Sequence, residues 1–235
     1  MASLNCAKAA TYYSAPDQSF HKTKWNDMYS NKNAIAYTIH YVTRTGNRID
    51  RVNELVAYGC SGVCDFVPPE YYISMFEMIQ KYMRQDRKIT AKVSHEILSF
   101  DEHEEAFLTK NRAALLWYAR ACSEVYLNLG FLAVFGIHYG IHGEDNENCR
   151  KSLHIHFIIN NVSHVNGNLF HSKIASRPFS PGKKIFFRAN FGLKERESQM
   201  HSILYGLMQE PNPFQVDDPQ DYISNAYNLY PRNGK

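Results

Sequence analysis

Ser152-Leu153-His154-Ile155-His156-Phe157-Ile158-Ile159-Asn160 sets two histidines two residues apart in an otherwise apolar run. Side chains alternate along a β-strand with period two, so His154 and His156 share one face and point the same way. Asn160 falls on that same even-numbered face. A lone histidine on an apolar strand is most often a satisfied core residue. Two on one face of a rigid strand present neutral nitrogen donors side by side, as a metal site requires. Upstream, Phe131-Leu-Ala-Val-Phe-Gly-Ile-His138 is a similar run with a third histidine. Antiparallel pairing of the two runs brings His138 to the pair, and three imidazoles leave coordination positions open, which suits catalysis better than structural support. His142, four residues later, competes with His138 for the third place, and a Gly-x-x-x-His pattern ends at His171.

Around this strand the chain has the composition of an ordinary globular protein. Its 235 residues, 44% hydrophobic and 14% aromatic, are enough for a full core. One folded domain is expected over residues 1–210, with a loosely held, proline-containing tail over 211–235. No apolar run approaches the length of a membrane span, and the first residues lack the basic, apolar and small-residue pattern of a signal sequence. A cytoplasmic protein with no membrane partner is therefore expected. Cys6, Cys60, Cys64, Cys122 and Cys149 are odd in number and irregular in spacing, which argues for reduced thiols over a disulfide framework.

The net charge of +3 conceals an uneven distribution. Residues 150–200 hold nine basic side chains (Arg150, Lys151, Lys173, Arg177, Lys183, Lys184, Arg188, Lys194, Arg196) against Glu195 and Glu197, a local balance of +7. A charge run is usually a solvated face. Here Phe186 and Phe187 are interleaved with Lys183, Lys184 and Arg188, a mixture that fits single-stranded nucleic acid through phosphate attraction and base stacking.

The remaining elements are read from periodicity and punctuation. A strand is expected around residues 6–13, and residues 31–43 fit a short helix while leaving strand open; a helix would bring Tyr37 and Tyr41 to one face. Pro68-Pro69-Glu70 opens a helix that runs to about residue 84. Residues 88–100 read as a strand and 101–129 as the longest helix, with Asp101 as its N-cap and Gly130 as its stop. Strands over 131–139 and 152–162 follow, then an Asn166-Gly167 turn into a short strand at 168–171, a loop over 176–184 and a last helix over 191–209. The order points to an α+β fold, a central antiparallel sheet that carries the His-hydrophobe-His site, with helices packed mainly on one face.

With these residues in place, the chain resembles a family. Val-Phe-Gly-Ile-His138 followed by His154-Ile-His156-Phe-Ile-Ile-Asn160 and, further on, Gly167-Asn-Leu-Phe-His171 is similar to the core of the relaxases, the mobilisation nucleases of bacterial plasmids and integrative elements, in particular the MOBP branch. Ile39-His-Tyr41-Val-Thr-Arg44 resembles the family's tyrosine motif, and His95-Glu-Ile-Leu-Ser99-Phe100 its second motif. The four motifs stand in the family's order over residues 35–171.

The resemblance implies a HUH-type fold in which His138, His154 and His156 bind a divalent metal ion, Mg or Mn, with a tyrosine brought over the sheet from a helix. Tyr41 aligns with the nucleophile and Tyr37 is the runner-up. Ser99 and His95 are implied near the substrate phosphate, Asn160 and His171 in support, and Arg44, Lys173, Arg177, Lys183, Lys184 and Arg188 against DNA. The implied activity is site- and strand-specific nicking and rejoining of single-stranded DNA at an origin of transfer, by transesterification to a 5′-phosphotyrosyl intermediate, assisted by accessory DNA-binding and coupling proteins. A phenol with an ordinary pKa of about 10 needs such metal assistance at neutral pH. Many relatives carry an acidic residue two places after the first histidine, where this chain has Gly140 and a longer insertion; Glu144 and Asp145 are candidates to replace it. Two other readings stand beside this one: an idle DNA-binding module, and a hydrolytic metallonuclease that uses water.

Overall fold

The computed structural model describes residues 2–6, 34–45, 52–64, 67–84, 89, 91–141, 151–170 and 192–209. Among them, β1 (Ser3–Cys6), β2 (Leu55–Cys60), β3 (Val93–Ser99), β4 (Ala133–Ile141) and β5 (Lys151–Asn160) form one sheet in the order β1-β3-β5-β4-β2, every neighbouring pair antiparallel. The helices are α1 (Ala34–Thr43), α2 (Pro69–Met83), α3 (Glu102–Lys110), α4 (Arg112–Asn128) and α5 (Leu193–Gln209). The fold is α+β, as the strand and helix order implied. The two most apolar stretches, β4 and β5, are hydrogen-bonded neighbours, and β5 lies at the centre of the sheet.

Expected and observed elements differ in instructive ways. Of residues 31–43, ambiguous on periodicity, the described part, Ala34–Thr43, is helical. The expected long helix over 101–129 breaks at Asn111, whose backbone is extended (φ −130°, ψ 94°) and whose side chain accepts from the Ala114 N–H at 2.9 Å to cap α4. Asparagine competes with the helix for its own backbone, and here it ends one helix and starts the next. Asp101 caps α3 in a full capping box with Glu104, and Gly130 (φ +88°) stops α4. Of the short strand expected at 168–171, residues 168–170 are described, and there Leu169 makes an isolated bridge with Val162. β2 was not foreseen. Of the strand expected over 6–13 only Cys6 is described, in β1, and the 176–184 loop and the 211–235 tail lie outside the described residues.

The helices do not favour one face of the sheet. Leu98, Phe135, Ile137, Leu153, Ile155, Phe157 and Ile159 pack against α4 and α5 through Tyr118, Cys122, Tyr126, Met200 and Leu204. The other face carries Val93, Val134 and Ile158 against α1 and α2, through Ile35, Ile39, Val42, Tyr72 and Phe76. β4 and β5 are buried on both faces: the second face sets Val134 and Ile158 among its histidines, and that mixed surface is covered as well. Ten residues are too few for a stable isolated helix, so α1 persists because this packing holds it.

Candidate metal centre and the tyrosine above it

Strand register assembles the histidines. His138 of β4 lies directly across from His154 of β5, Gly136 across from His156, and Ile97 and Ser99 of β3 across from His156 and His154. Paired residues share a face, so His95, Ser99, His138, His154, His156 and Asn160 all belong to the face covered by α1 and α2. His138, His154 and His156 each offer a ring nitrogen within 4.8 Å of the others, and all three are buried. Metal–nitrogen bonds of ~2 Å bring ligating nitrogens to roughly 3 Å of each other, so the set has to draw in by up to about 2 Å to close on an ion.

The outward partners of the rings bear on whether such a set fits a cation. His154 Nδ1 lies 3.1 Å from the Ser152 carbonyl, which accepts its hydrogen and leaves the lone pair on Nε2. His156 Nδ1 is 2.8 Å from His95 Nε2; with His95 accepting, Nε2 of His156 likewise carries the lone pair. His138 donates from Nε2 to the Val42 carbonyl at 2.7 Å, so its lone pair is on Nδ1. Burial, followed by the nearby Arg44 guanidinium and His154, holds the His138 pKa well below the ordinary histidine value. A neutral imidazole oriented by a carbonyl is the form that ligates. Three such donors, and no carboxylate among them, fit a borderline divalent cation such as Mn, Co or Zn by ligand preference, with Mg acceptable where phosphate oxygens complete its shell.

Gly136 admits the tyrosine. A Cβ added there would stand 2.3 Å from the Val42 carbonyl oxygen, so α1 rests its backbone directly on β4 at this point. The contact lays Tyr41 over the histidines, its ring centroid 5.5 Å from that of His156, 6.1 Å from His95 and 6.4 Å from His138. Tyr41 is 8% exposed, whereas Tyr37, one turn back, is 41% exposed. Glycine in a strand run often marks a close backbone approach, so this contact had a legible signal.

Arg44 stands inside the site. The resemblance assigns it to DNA, yet it is 3% exposed at the end of α1, in the left-handed backbone region (φ 51°). Its guanidinium is 4.8 Å from the Tyr41 ring centroid, 2.8 Å from Glu54 Oε2 and 3.2 Å from His138 Nδ1. The turn at the end of α1 folds the side chain back over the site in place of sending it to solvent. His95 is likewise engaged with His156, and Ser99 sits beside His154, half-buried. Asn160 ties β5 to α2, accepting from Gln80 Nε2 at 2.8 Å and donating to the Phe76 carbonyl at 3.3 Å. His142, Glu144, Asp145, His171, Lys173, Arg177, Lys183, Lys184 and Arg188 lie outside the described residues.

Sequence reading missed Glu54. It precedes β2 in a short turn, and its side chain covers Gly140, where a Cβ would meet Glu54 Cδ at 2.9 Å. A carboxylate thus stands over the strand position two residues after His138, delivered from another part of the chain. No local pattern announces a contact made across a β-bulge between Leu55 and Ala57.

Among the described residues no helix is long and apolar enough to cross a membrane. Comparison with family models and with curated proteins found no match for the chain.

Proposed function

We propose that the chain is a metal-dependent single-stranded DNA strand transferase of the relaxase kind, nicking and rejoining one strand at an origin of transfer through Tyr41. The observation that carries this reading is the placement of one buried tyrosine ring within 5.5–6.4 Å of three histidine rings, two of them from a buried triad whose ring nitrogens lie within 4.8 Å of one another. A structural tyrosine has no need of so many nitrogen donors beneath it.

When bound by His138, His154 and His156, Mg or Mn supplies Lewis-acid polarisation of the scissile phosphate. The remaining work falls to the chain. The Tyr41 oxygen attacks phosphorus, the bond from phosphorus to the 3′ oxygen breaks, and the phenolic proton is given up as the departing 3′ oxygen becomes a hydroxyl. The product is a 5′-phosphotyrosyl linkage, and the reverse attack by a 3′ hydroxyl restores the strand with no external energy source. His95 holds the His156 ring, the Val42 carbonyl holds the His138 ring, and Ser99 stands beside His154 on the substrate face. The basic and aromatic segment between Lys173 and Arg188 suits the DNA strand itself. Accessory DNA-binding and coupling proteins are the expected partners of such an enzyme.

Incubation with a labelled single-stranded DNA library, in Mg or Mn and again with chelator, followed by denaturing electrophoresis, tests the reading. A metal-dependent protein–DNA adduct that survives Tyr37→Phe and disappears in Tyr41→Phe is expected. Cut DNA without an adduct points to the hydrolase, and binding without cutting to the idle module; either result defeats the proposal.

A further inference from the structure

We infer that Arg44 is a built-in stand-in for the metal ion, a cation of the chain's own that occupies the His138 lone pair until a divalent cation displaces it onto Glu54. The inference rests on the metal reading of the histidine triad and adds to it a competitor and a destination.

His138 has two ring nitrogens, and both are engaged. Nε2 donates to the Val42 carbonyl, so Nδ1 is the acceptor that faces Arg44 Nη2 at 3.2 Å. A guanidinium does not deprotonate at any accessible pH, so the donor in this contact is a full positive charge. One lone pair serves one cation. Arg44 and a metal ion therefore exclude one another at His138 on valence grounds, and a dication beside a monocation a few ångströms away repels it besides. The three-imidazole set is polar and buried, and without a cation it lacks the charge its donors are oriented to meet; the guanidinium supplies one.

The exchange has somewhere to go. Arg44 Nη2 already bonds Glu54 Oε2 at 2.8 Å, and Glu54 is 23% exposed where Arg44 is 3% exposed, so the carboxylate stands on the solvent side of the pair. Gly140 keeps the strand surface bare beneath that carboxylate, since a Cβ there would press on Glu54 Cδ at 2.9 Å. One guanidinium nitrogen thus spans the imidazole it would give up and the carboxylate that would keep it. The backbone of Arg44 is left-handed (φ 51°), uncommon for a residue with a Cβ.

Isothermal titration of the full chain with Mn²⁺ tests the exchange without any reference to DNA cutting. Arg44→Gln is expected to bind Mn²⁺ about tenfold tighter or more than the wild type, because the competing charge is gone. Glu54→Gln is expected to bind several-fold weaker, since the displaced guanidinium loses its acceptor, and the double variant to lose that weakening because Glu54 acts through Arg44. Should Arg44→Gln alter the circular dichroism spectrum, Arg44→Met, which keeps the packing of the stem, reads the same quantity. Unchanged or weaker Mn²⁺ binding in the folded Arg44 variant, with binding still abolished by His154→Ala, overturns the stand-in and leaves the metal site intact. A Glu54→Gln effect that persists in the double variant overturns the exchange. Absence of His154-dependent Mn²⁺ binding in both wild type and Arg44→Gln removes the metal reading and this inference with it.

Discussion

At the scale of single residues, Gly136 decides whether the site exists. Any side chain there meets the Val42 carbonyl oxygen well inside van der Waals contact, and the obstacle is backbone, which has nowhere to rotate. Gly136→Ala is expected to destabilise by ~1–3 kcal/mol, as overpacking does, and to abolish adduct formation even where the protein stays folded; urea denaturation and the labelled-DNA assay separate the two effects. Asn160 is the complementary case. Its side chain is fully buried and bonded to Gln80, Phe76 and the Val162 N–H. Asn160→Ala is expected to cost about 1–3 kcal/mol by leaving the Gln80 amide and the Phe76 carbonyl unsatisfied, read as a lower denaturation midpoint. Residue identity was legible where period two governs: His154, His156 and Asn160 share a face because a strand leaves them no choice. Tyr41 was distinguishable from Tyr37 only by the resemblance until burial separated them. Glu54 was not legible at all, because its place depends on a contact between the β2 entry and Gly140 that no local spacing encodes.

At the scale of elements, α5 is attached to the sheet by charge as well as by apolar contact. Arg196, fully buried, pairs through Nε and Nη2 with the carboxylate of Glu96 on β3, and Tyr126 of α4 donates to Glu96 Oε2 at 2.8 Å. The guanidinium also lies 5.0 Å from the Phe170 ring centroid. Removing one member of a buried pair strands the other. Arg196→Met is therefore expected to lower stability by roughly 3–5 kcal/mol, and Glu96→Gln in the same chain to restore much of it, measured by thermal or urea denaturation of the single and double variants. The N-terminus of α3 has a different sensitivity. Backbone N–H donation to Asp101, from Glu104 above all, holds its carboxyl down to about 2, from an ordinary value of 3.8. A depressed carboxyl stabilises the fold above its unfolded pKa, and that contribution is lost as pH falls through the folded value. The stability gap between wild type and Asp101→Asn is expected to be constant near neutrality, to shrink below about pH 4, and to close near pH 2. Element types followed from the sequence better than element limits did. Asp101 and Gly130 marked true helix ends, but Asn111 was absorbed into one long helix because its flanking apolar pattern continues, and β2 escaped because it is short and only part-buried over most of its length.

At the scale of the whole molecule, the sheet is a partition. One face, with α4 and α5, is an ordinary core of leucine, isoleucine and aromatic side chains; the other, with α1 and α2, gives part of its interior to imidazoles and a guanidinium. Helices were expected mainly on one face, but Val134 and Ile158, set among the histidines on the second face, are buried under α1 and α2. A cation bound only by the folded triad must stabilise the fold by mass action. Mn²⁺ at a hundredfold excess over its Kd is expected to raise the unfolding free energy by about 2.7 kcal/mol in the wild type, and to leave His154→Ala unmoved, with Tm as the readout.

The position of β5 has a consequence for how the molecule comes into being. In the order β1-β3-β5-β4-β2 the last of the described strands to be made is the one in the middle, so the described strands before residue 151 form only two separate pairs, β1 with β3 and β2 with β4. The same strand brings two of the three histidines, and Val42 waits 96 residues for the His138 ring that it steadies. A growing or truncated chain that stops short of β5 therefore holds two strand pairs that nothing joins, and one histidine of the triad in place of three. Joining of the two strand pairs and acquisition of the histidine triad are, on the proposed function, a single event during synthesis, with α5 still to be added.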